Sequence, residues 1–121
     1  MSPDELQALV EEATFDYVSG DSPAALAKLA RATSENPDSF EAWHAVAEIN
    51  LSLRNLDEAL AAGERAHALK KADPLVLATL SRTWMEKGNK ERAEHYGALA
   101  RVQGWKEELS APPAPDAGGL R

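Results

Sequence analysis

Residues 40–73 read FEAWHAVAEINLSLRNLDEALAAGERAHALKKAD. Apolar residues recur on both sides of Arg54 and Asn55 at the three- and four-residue intervals that define one face of an α-helix. The pattern stops at these two residues and restarts after them. We therefore predict two amphipathic helices joined by a short break, and the rest of the chain is interpreted from this pair.

The same pattern occurs once before residues 40–73 and once after them, at a fixed distance. Gly20, Arg54 and Gly88 occupy the breaks and stand at intervals of 34 residues. A period of about 34 residues built from two helices is the signature of the tetratricopeptide repeat, and the chain resembles that family over about residues 6–107. Three further sets keep the interval without insertion: Ala25, Ala59 and Ala93; Ala32, Ala66 and Ala100; and Leu9, Trp43 and Leu77.

The resemblance implies an all-α fold, a right-handed α-solenoid of three antiparallel helix pairs. The pairs are called unit one, unit two and unit three, over about residues 6–39, 40–73 and 74–107 of a domain spanning 1–109. Residues 110–121 read SAPPAPDAGGLR, with too little apolar surface to offset chain entropy, and are expected to be a disordered tail.

The sequence departs from the family pattern at two positions. One position is usually large and is Leu29 in unit one, but it is Gly63 and Gly97 in the other units. Either another backbone comes close there or the core is filled differently. The other position is usually aromatic, and only Trp84 of unit three fits it, because Asp16 and Asn50 stand in the first two units.

Local signals predict several helix ends. Ser2 begins a capping-box pattern for the first helix, and Ser22 is the expected cap of the second. Asn55 begins a capping-box pattern for the fourth helix, and the sixth is expected to end near Gly104.

Composition narrows the classes of function. The 121 residues include no cysteine, which excludes disulfides and thiolate metal sites. The formal charge of −7 and the pI near 4.9 argue against nucleic acid or an anionic membrane as the main partner. No signal peptide or membrane-spanning apolar run is recognisable, so we expect no membrane insertion and, by default, a cytoplasmic protein.

Candidate catalytic and metal-binding motifs are missing from the sequence. His44, His67 and His95 do not form a metal-ligand pattern, and no glycine loop follows a strand to hold phosphate. Paired carboxylates adjacent in sequence point away from each other on a helix. We therefore predict no catalytic residue, no cofactor and no metal, and expect the chain not to be an enzyme.

In the family, the first helix of each pair lines a concave groove that binds peptides. The resemblance does not extend to members that clamp a carboxylate tail with basic residues, since the matching positions here are not basic. An apolar strip beside glutamates predicts a partner protein or peptide with apolar and basic residues, bound by an adaptor or chaperone-like protein. The alternative is that the glutamates form a solvated helix face. The predicted groove residues are Val10, Glu11, Thr14, Tyr17, Glu41, His44, Glu48, Leu51, Leu75, Arg82, Met85 and Glu86.

A second interpretation is a self-assembling structural protein. Pro112 and Pro113 interrupt any capping helix of full length at the C-terminal end of the solenoid. Trp105 and Leu109 then either fold back over the sixth helix or leave its apolar side, near Tyr96 and Leu99, exposed for pairing. Homodimer formation through this end, or through the groove, is therefore the alternative function.

Overall fold

The structure, a computed structural model, describes residues 1–110. Consecutive helices pack antiparallel as the pairs α1–α2, α3–α4 and α5–α6, and α2 packs on α3 and α4 on α5. Residues 1–110 contain no strand, and the predicted right-handed α-solenoid of three helix pairs is confirmed. The helices are α1 (Pro3–Val18), α2 (Ser22–Glu35), α3 (Phe40–Ser52), α4 (Leu56–Leu69), α5 (Pro74–Glu86) and α6 (Lys90–Ser110).

The first helices of the pairs form the inner layer of the solenoid. Helix α3 contacts both α1 and α5, whereas the second helices α2, α4 and α6 do not contact one another. Alanines at the repeated positions Ala25, Ala59 and Ala93 are buried, so the two helices of each pair can approach closely. The concave side is consequently formed by α1, α3 and α5. None of the helices within residues 1–110 combines the length and apolar character needed to cross a bilayer.

The joint inside each pair uses a left-handed residue. Gly20 and Gly88 have φ angles of 93° and 84°, and Arg54 at the same position has a φ of 63°. This region is open to glycine but costs a residue with a Cβ about 1–2 kcal/mol. The three positions that first revealed the repeat thus share one backbone conformation, and only unit two adopts it with a side chain.

The N-termini of α1 and α2 differ in how well the sequence predicted them. The Ser2 hydroxyl accepts from the Glu5 amide at 3.1 Å, and Glu5 Oε1 accepts from the Ser2 amide at 3.0 Å, so the first capping box is present. The prediction that Ser22 caps α2 is wrong. Asp21 caps it, with its carboxylate accepting from the Ala24 amide at 3.1 Å, because it precedes the first helical residue and its charge also suits the helix dipole.

The capping-box prediction for α4 is also wrong. Asn55 precedes the helix but makes no side-chain cap; its Nδ2 donates to Asn50 Oδ1 at 3.2 Å. Asn50 is buried where the family usually has an aromatic residue, and its own Nδ2 donates to the Val46 carbonyl at 3.0 Å. A buried amide needs partners for both of its ends, and this requirement takes the Asn55 side chain away from the helix terminus.

Asp16 is satisfied in a different way. The Lys28 ammonium on α2 donates to Asp16 Oδ2 at 2.6 Å, and this hydrogen bond holds the pKa of Lys28 above its ordinary value. The ion pair joins α1 to α2 at the position where an aromatic ring packs in unit three. The two substitutions in the family pattern are therefore compensated by polar contacts within the chain.

At Gly63 the core is filled differently, and no other backbone comes close. A Cβ at Gly63 would lie 2.9 Å from Cδ2 of Leu80, a fully buried side chain of α5. Leu80 packs with Ala66 and Val76, so the next unit fills the space that Leu29 fills in unit one. The missing side chain of α4 is replaced by a side chain of α5.

The last helix is longer than expected. Helix α6 continues through Gly104 to Ser110, and within residues 1–110 the glycines with positive φ are Gly20 and Gly88 only. Trp105 and Leu109 lie on α6 itself, with 65% and 71% of their surfaces exposed, so of the two alternatives they do not fold back over the helix. Residues 105–109 include good helix formers, which outweigh one internal glycine costing about 1 kcal/mol.

The exposed apolar part of α6 is also displaced from its expected place. Tyr96 is half-buried against the cluster that contains Leu80, and Leu99 is half-buried too. The exposed apolar side chains are instead Val102, Trp105 and Leu109. Ser110, placed in the tail by the sequence, is helical; the rest of the expected disordered tail, residues 111–121, lies outside the described residues.

Candidate partner-binding face

A first depression lies between the beginnings of α1 and α3. Its volume is about 340 Å³. Helix α1 reaches it because the Ser2 cap starts that helix at Pro3. Helix α3 starts at Phe40, which corresponds to Leu6, so α1 begins about one turn earlier in the repeat. It brings together Val10, Glu11 and Glu41 of the predicted groove with Pro3, Leu6, Gln7 and Ser39.

Two further depressions follow the other ends of the first helices, with volumes of about 290 Å³ and 280 Å³. They share Ser52 and Arg82, so they form one continuous trough across α1, α3 and α5. The depression of about 290 Å³ is lined by Thr14, Tyr17, Val18, Ala45, Glu48, Ile49, Ser52 and Arg82. The depression of about 280 Å³ is lined by Leu51, Ser52, Arg82, Met85 and Glu86.

A hydrogen bond between helices fixes the wall of this trough. The Tyr17 hydroxyl on α1 donates to Ser52 Oγ on α3 at 2.8 Å, and the Ser52 hydroxyl donates to the Ile49 carbonyl at 2.8 Å. The donors therefore form a chain with a single direction that ends on the backbone of α3. The Tyr17 ring is therefore held in place by contacts within the chain.

His44 has its polar contacts inside the protein. Its Nε2 lies 3.3 Å from Thr79 Oγ1 on α5 and 3.3 Å from Glu48 Oε1. The Thr79 hydroxyl donates to the Leu75 carbonyl at 3.0 Å, so its oxygen is left to accept from a protonated Nε2. His44 therefore ties α3 to α5, although the sequence predicted it as a groove contact, and it lines neither the first depression nor the trough.

Three other predicted residues have particular surroundings. Leu75 is largely exposed but lies outside the depressions found along the described first helices. Leu51, on α3, lines the trough but is buried, with only 7% of its surface exposed. Glu86 forms an ion pair with Arg54, so its carboxylate is already partly neutralised. The remaining eight predicted groove residues line the first depression or the trough.

The charge on this face is mostly negative. Glu11, Glu41 and Glu48 are exposed along α1 and α3. Arg82 is also exposed and takes part in none of the ion pairs formed among residues 1–110. The face offers apolar walls, three acidic side chains and one cation at the centre of the trough. In the part of the chain that is described, no group of three acidic or imidazole side chains is arranged to hold a metal ion.

The sequence missed some of the lining residues. Leu6 is not among the predicted groove residues, yet it lines the first depression. Ser39 caps α3 through the Ala42 amide and lies at the same edge. The early cap at Ser2 is the signal that could have identified them, since it extends α1 past the beginning of α3.

Two crystal structures of MamA are similar to this chain. One has a TM-score of 0.81 at 19% sequence identity and covers 86% of this chain and 61% of the MamA chain. The other has a TM-score of 0.78 at 19% identity and covers 91% of this chain and 61% of the MamA chain. No family model matches the sequence, and no curated protein matches it. The chain thus spans about three fifths of these MamA chains, and at this identity the likeness shows the shared helical-solenoid fold.

Proposed function

We propose that the chain is a tetratricopeptide-type interaction module that binds a segment of another protein on its concave face. The observation that supports this most is the continuous trough across α1, α3 and α5, with the first depression at the start of α1 and α3. Apolar clefts with a few convergent polar groups are the usual form of a binding site. The proposed activity is capture of a partner, without catalysis.

The chemistry of the face selects the partner. Val10, Tyr17 and Met85 offer apolar contact, while Glu11, Glu41 and Glu48 are placed to attract lysine and arginine. Such acidic fields mainly raise the rate of association and select against acidic partners. The partner segment is therefore apolar with basic residues, in an extended or a helical conformation.

A peptide pair tests this proposal directly. The probe is a fluorescein-labelled synthetic peptide in which leucines are interspersed with lysines and arginines, and its counterpart has glutamate at every basic position. Fluorescence anisotropy with the full chain should show binding of the basic peptide, weakening as salt is added, and no binding of the acidic one. Equal binding of both peptides would exclude the electrostatic part of the proposal.

Matched charge reversals locate the bound peptide. Glu41→Lys changes the first depression, and Glu48→Lys changes the trough. Glu64→Lys makes the same change in charge on α4, away from the concave helices, and is the control. We expect each groove variant to bind the basic peptide about three- to tenfold more weakly than the control variant. If Glu64→Lys weakened binding as much as the groove variants, the peptide would not be in the groove.

A further inference from the structure

The outer side of α1 repeats a surface that the other units bury. Ile49 on α3 is 3% exposed and packs in a cluster with Leu9 of unit one, and Thr83 on α5 is fully buried. Phe15 stands 34 residues before Ile49 and is 71% exposed. Within residues 1–110 nothing covers it, so a large aromatic ring stands where the fold elsewhere places an interface.

Neighbouring positions on α1 repeat the comparison. Ala8 is exposed, although Ala42 and Val76 at the same position are fully buried. Glu12 is exposed, and its counterpart Leu80 is fully buried in unit three. We call Ala8, Glu12 and Phe15 the head face. It has the spacing of an interface between units, with one apolar side chain exchanged for a carboxylate.

The opposite end of the described stack carries the other half of that interface. A cleft of about 380 Å³ opens there between α5 and α6. We call it the end cleft, and it is lined by Ser81, Met85, Ala93, Glu94, Gly97, Ala98 and Arg101.

Gly97 of this cleft corresponds to Gly63 in unit two. At Gly63 the space above the glycine is filled by Leu80 of the following unit. At Gly97 the atoms nearest to a Cβ are Ser81 Oγ at 3.1 Å and an Arg101 guanidinium nitrogen at 3.7 Å, both from the same unit. The end cleft therefore keeps the small residue that makes room for a following unit.

We propose that a second copy of this chain docks its head face into the end cleft, so that copies stack head to tail and continue the solenoid. The contacts between units inside the chain are the template for this contact between chains. The inference goes beyond concave-face binding, and Phe15 and Arg101 lie outside the depressions of that face.

Charge complementarity supports a second copy as the occupant. Because Glu12 corresponds to Leu80 and Gly97 to Gly63, the incoming Glu12 is placed over Gly97, beside the Arg101 guanidinium. Neither Glu12 nor Arg101 takes part in an ion pair among residues 1–110. Glu12, the carboxylate that stands at an apolar position of the repeat, would thus lie opposite Arg101, the cation of the end cleft.

A second contact follows from the same correspondence. Tyr17 meets Ser52 of the following unit, and the equivalent partners at the end of the stack are Met85 and the incoming Val18. Val18 and Met85 are two of the exposed large apolar side chains of the described chain, at 78% and 48%. Their pairing would remove both from water.

Glu94 limits the strength of this association. It occupies the position of Leu26 and Leu60, which pack in the clusters between units. Its carboxylate is therefore beside the incoming Phe15 ring, so we expect weak, concentration-dependent stacking. Replacing it by leucine restores the side chain that the internal interfaces use.

The test is sedimentation velocity of the full chain over a hundredfold range of concentration. The native chain should grow past the dimer as concentration rises, because the two faces differ and the contact does not close. Phe15→Glu and Arg101→Glu should each remain monomeric. An equimolar mixture of these two variants should form a one-to-one dimer and nothing larger, since only one intact head face and one intact end cleft remain in each pair.

Two further variants complete the test. Glu94→Leu should tighten the stacking about tenfold. Trp105→Glu, on the exposed apolar stripe of α6, is the control and should associate like the native chain. A native chain that stays monomeric at every concentration would overturn the proposal. So would an association that stops at a dimer and is lost in Trp105→Glu, which would indicate symmetric pairing through α6, or a variant mixture that stays monomeric.

Discussion

Arg54 is the joint residue that has a side chain, where the other two units have glycine. It adopts the left-handed conformation that Gly20 and Gly88 provide in the other units. Its ion pair with Glu86 is largely exposed and offsets little of that cost. The joint of unit two is therefore a place where the native sequence is less stable than a simple alternative.

We predict that Arg54→Gly raises the free energy of unfolding by about 0.5–1 kcal/mol, the relief of left-handed strain minus the greater freedom of glycine in the unfolded chain. Urea denaturation followed by circular dichroism measures the change. Arg54→Ala is the matched control, since it removes the same ion pair but keeps a Cβ at positive φ. A gain of equal size in Arg54→Ala would show that the ion pair, and not the backbone, was the source.

The residue scale is also where sequence reasoning failed most often. Ser22 and Asn55 both carry side chains that favour caps, yet Asp21 caps α2 and Asn55 is held by Asn50. The outcome depends on which amide is buried nearby, and burial is a property of the assembled units. The sequence shows which residue types near a helix start favour a cap, but it does not always show which of them makes the hydrogen bond.

At the scale of elements, the packing of α4 on α5 depends on Gly63. We predict that Gly63→Leu, which introduces the residue type of unit one, lowers the free energy of unfolding by about 1–3 kcal/mol, the usual cost of overpacking. The new side chain would collide with the buried Leu80, so Leu80→Ala should be less damaging in that background than in the native chain. Urea denaturation of the native chain, the two single variants and the double variant gives the coupling free energy between the two positions.

Gly104→Leu is the matched control for this change. A Cβ at Gly104 meets nothing within 4 Å, and leucine favours a helix more than glycine does. We therefore expect no loss of stability there. A loss at Gly104 as large as the loss at Gly63 would mean that the collision with Leu80 is not the cause.

The elements themselves were predictable because the repeat supplied three independent examples of each. The register of Ala25, Ala59 and Ala93 fixed which helices pair. The repeat indicates the wrong end for α6, because Asn36 and Lys70, at the positions that correspond to Gly104, end α2 and α4, whereas α6 continues to Ser110. The internal contact of His44 was missed for another reason, since it depends on how α3 packs on α5.

At the scale of the whole molecule, unit two alone has a neighbouring unit on both sides within residues 1–110. The stability of a repeat protein is close to a sum of unit terms and contacts between neighbours. We predict that amide hydrogens of α3 and α4 exchange most slowly and those of residues 104–110 most quickly. Hydrogen exchange followed by mass spectrometry, on dilute Phe15→Glu protein to exclude stacking, measures this order. Protection of residues 104–110 equal to that of α3 would contradict it.

The insertion-free spacing of the joints has an evolutionary consequence. Unit two fits a neighbour on each of its flanks, and residues 40–73 correspond to one complete period. A tandem duplication of the coding segment for those residues would place each new flank against a surface of the type it already accepts. Lineages descended from such a gene can therefore lengthen or shorten the concave face by whole periods, and so change the reach of the proposed binding face, without a new type of interface between units.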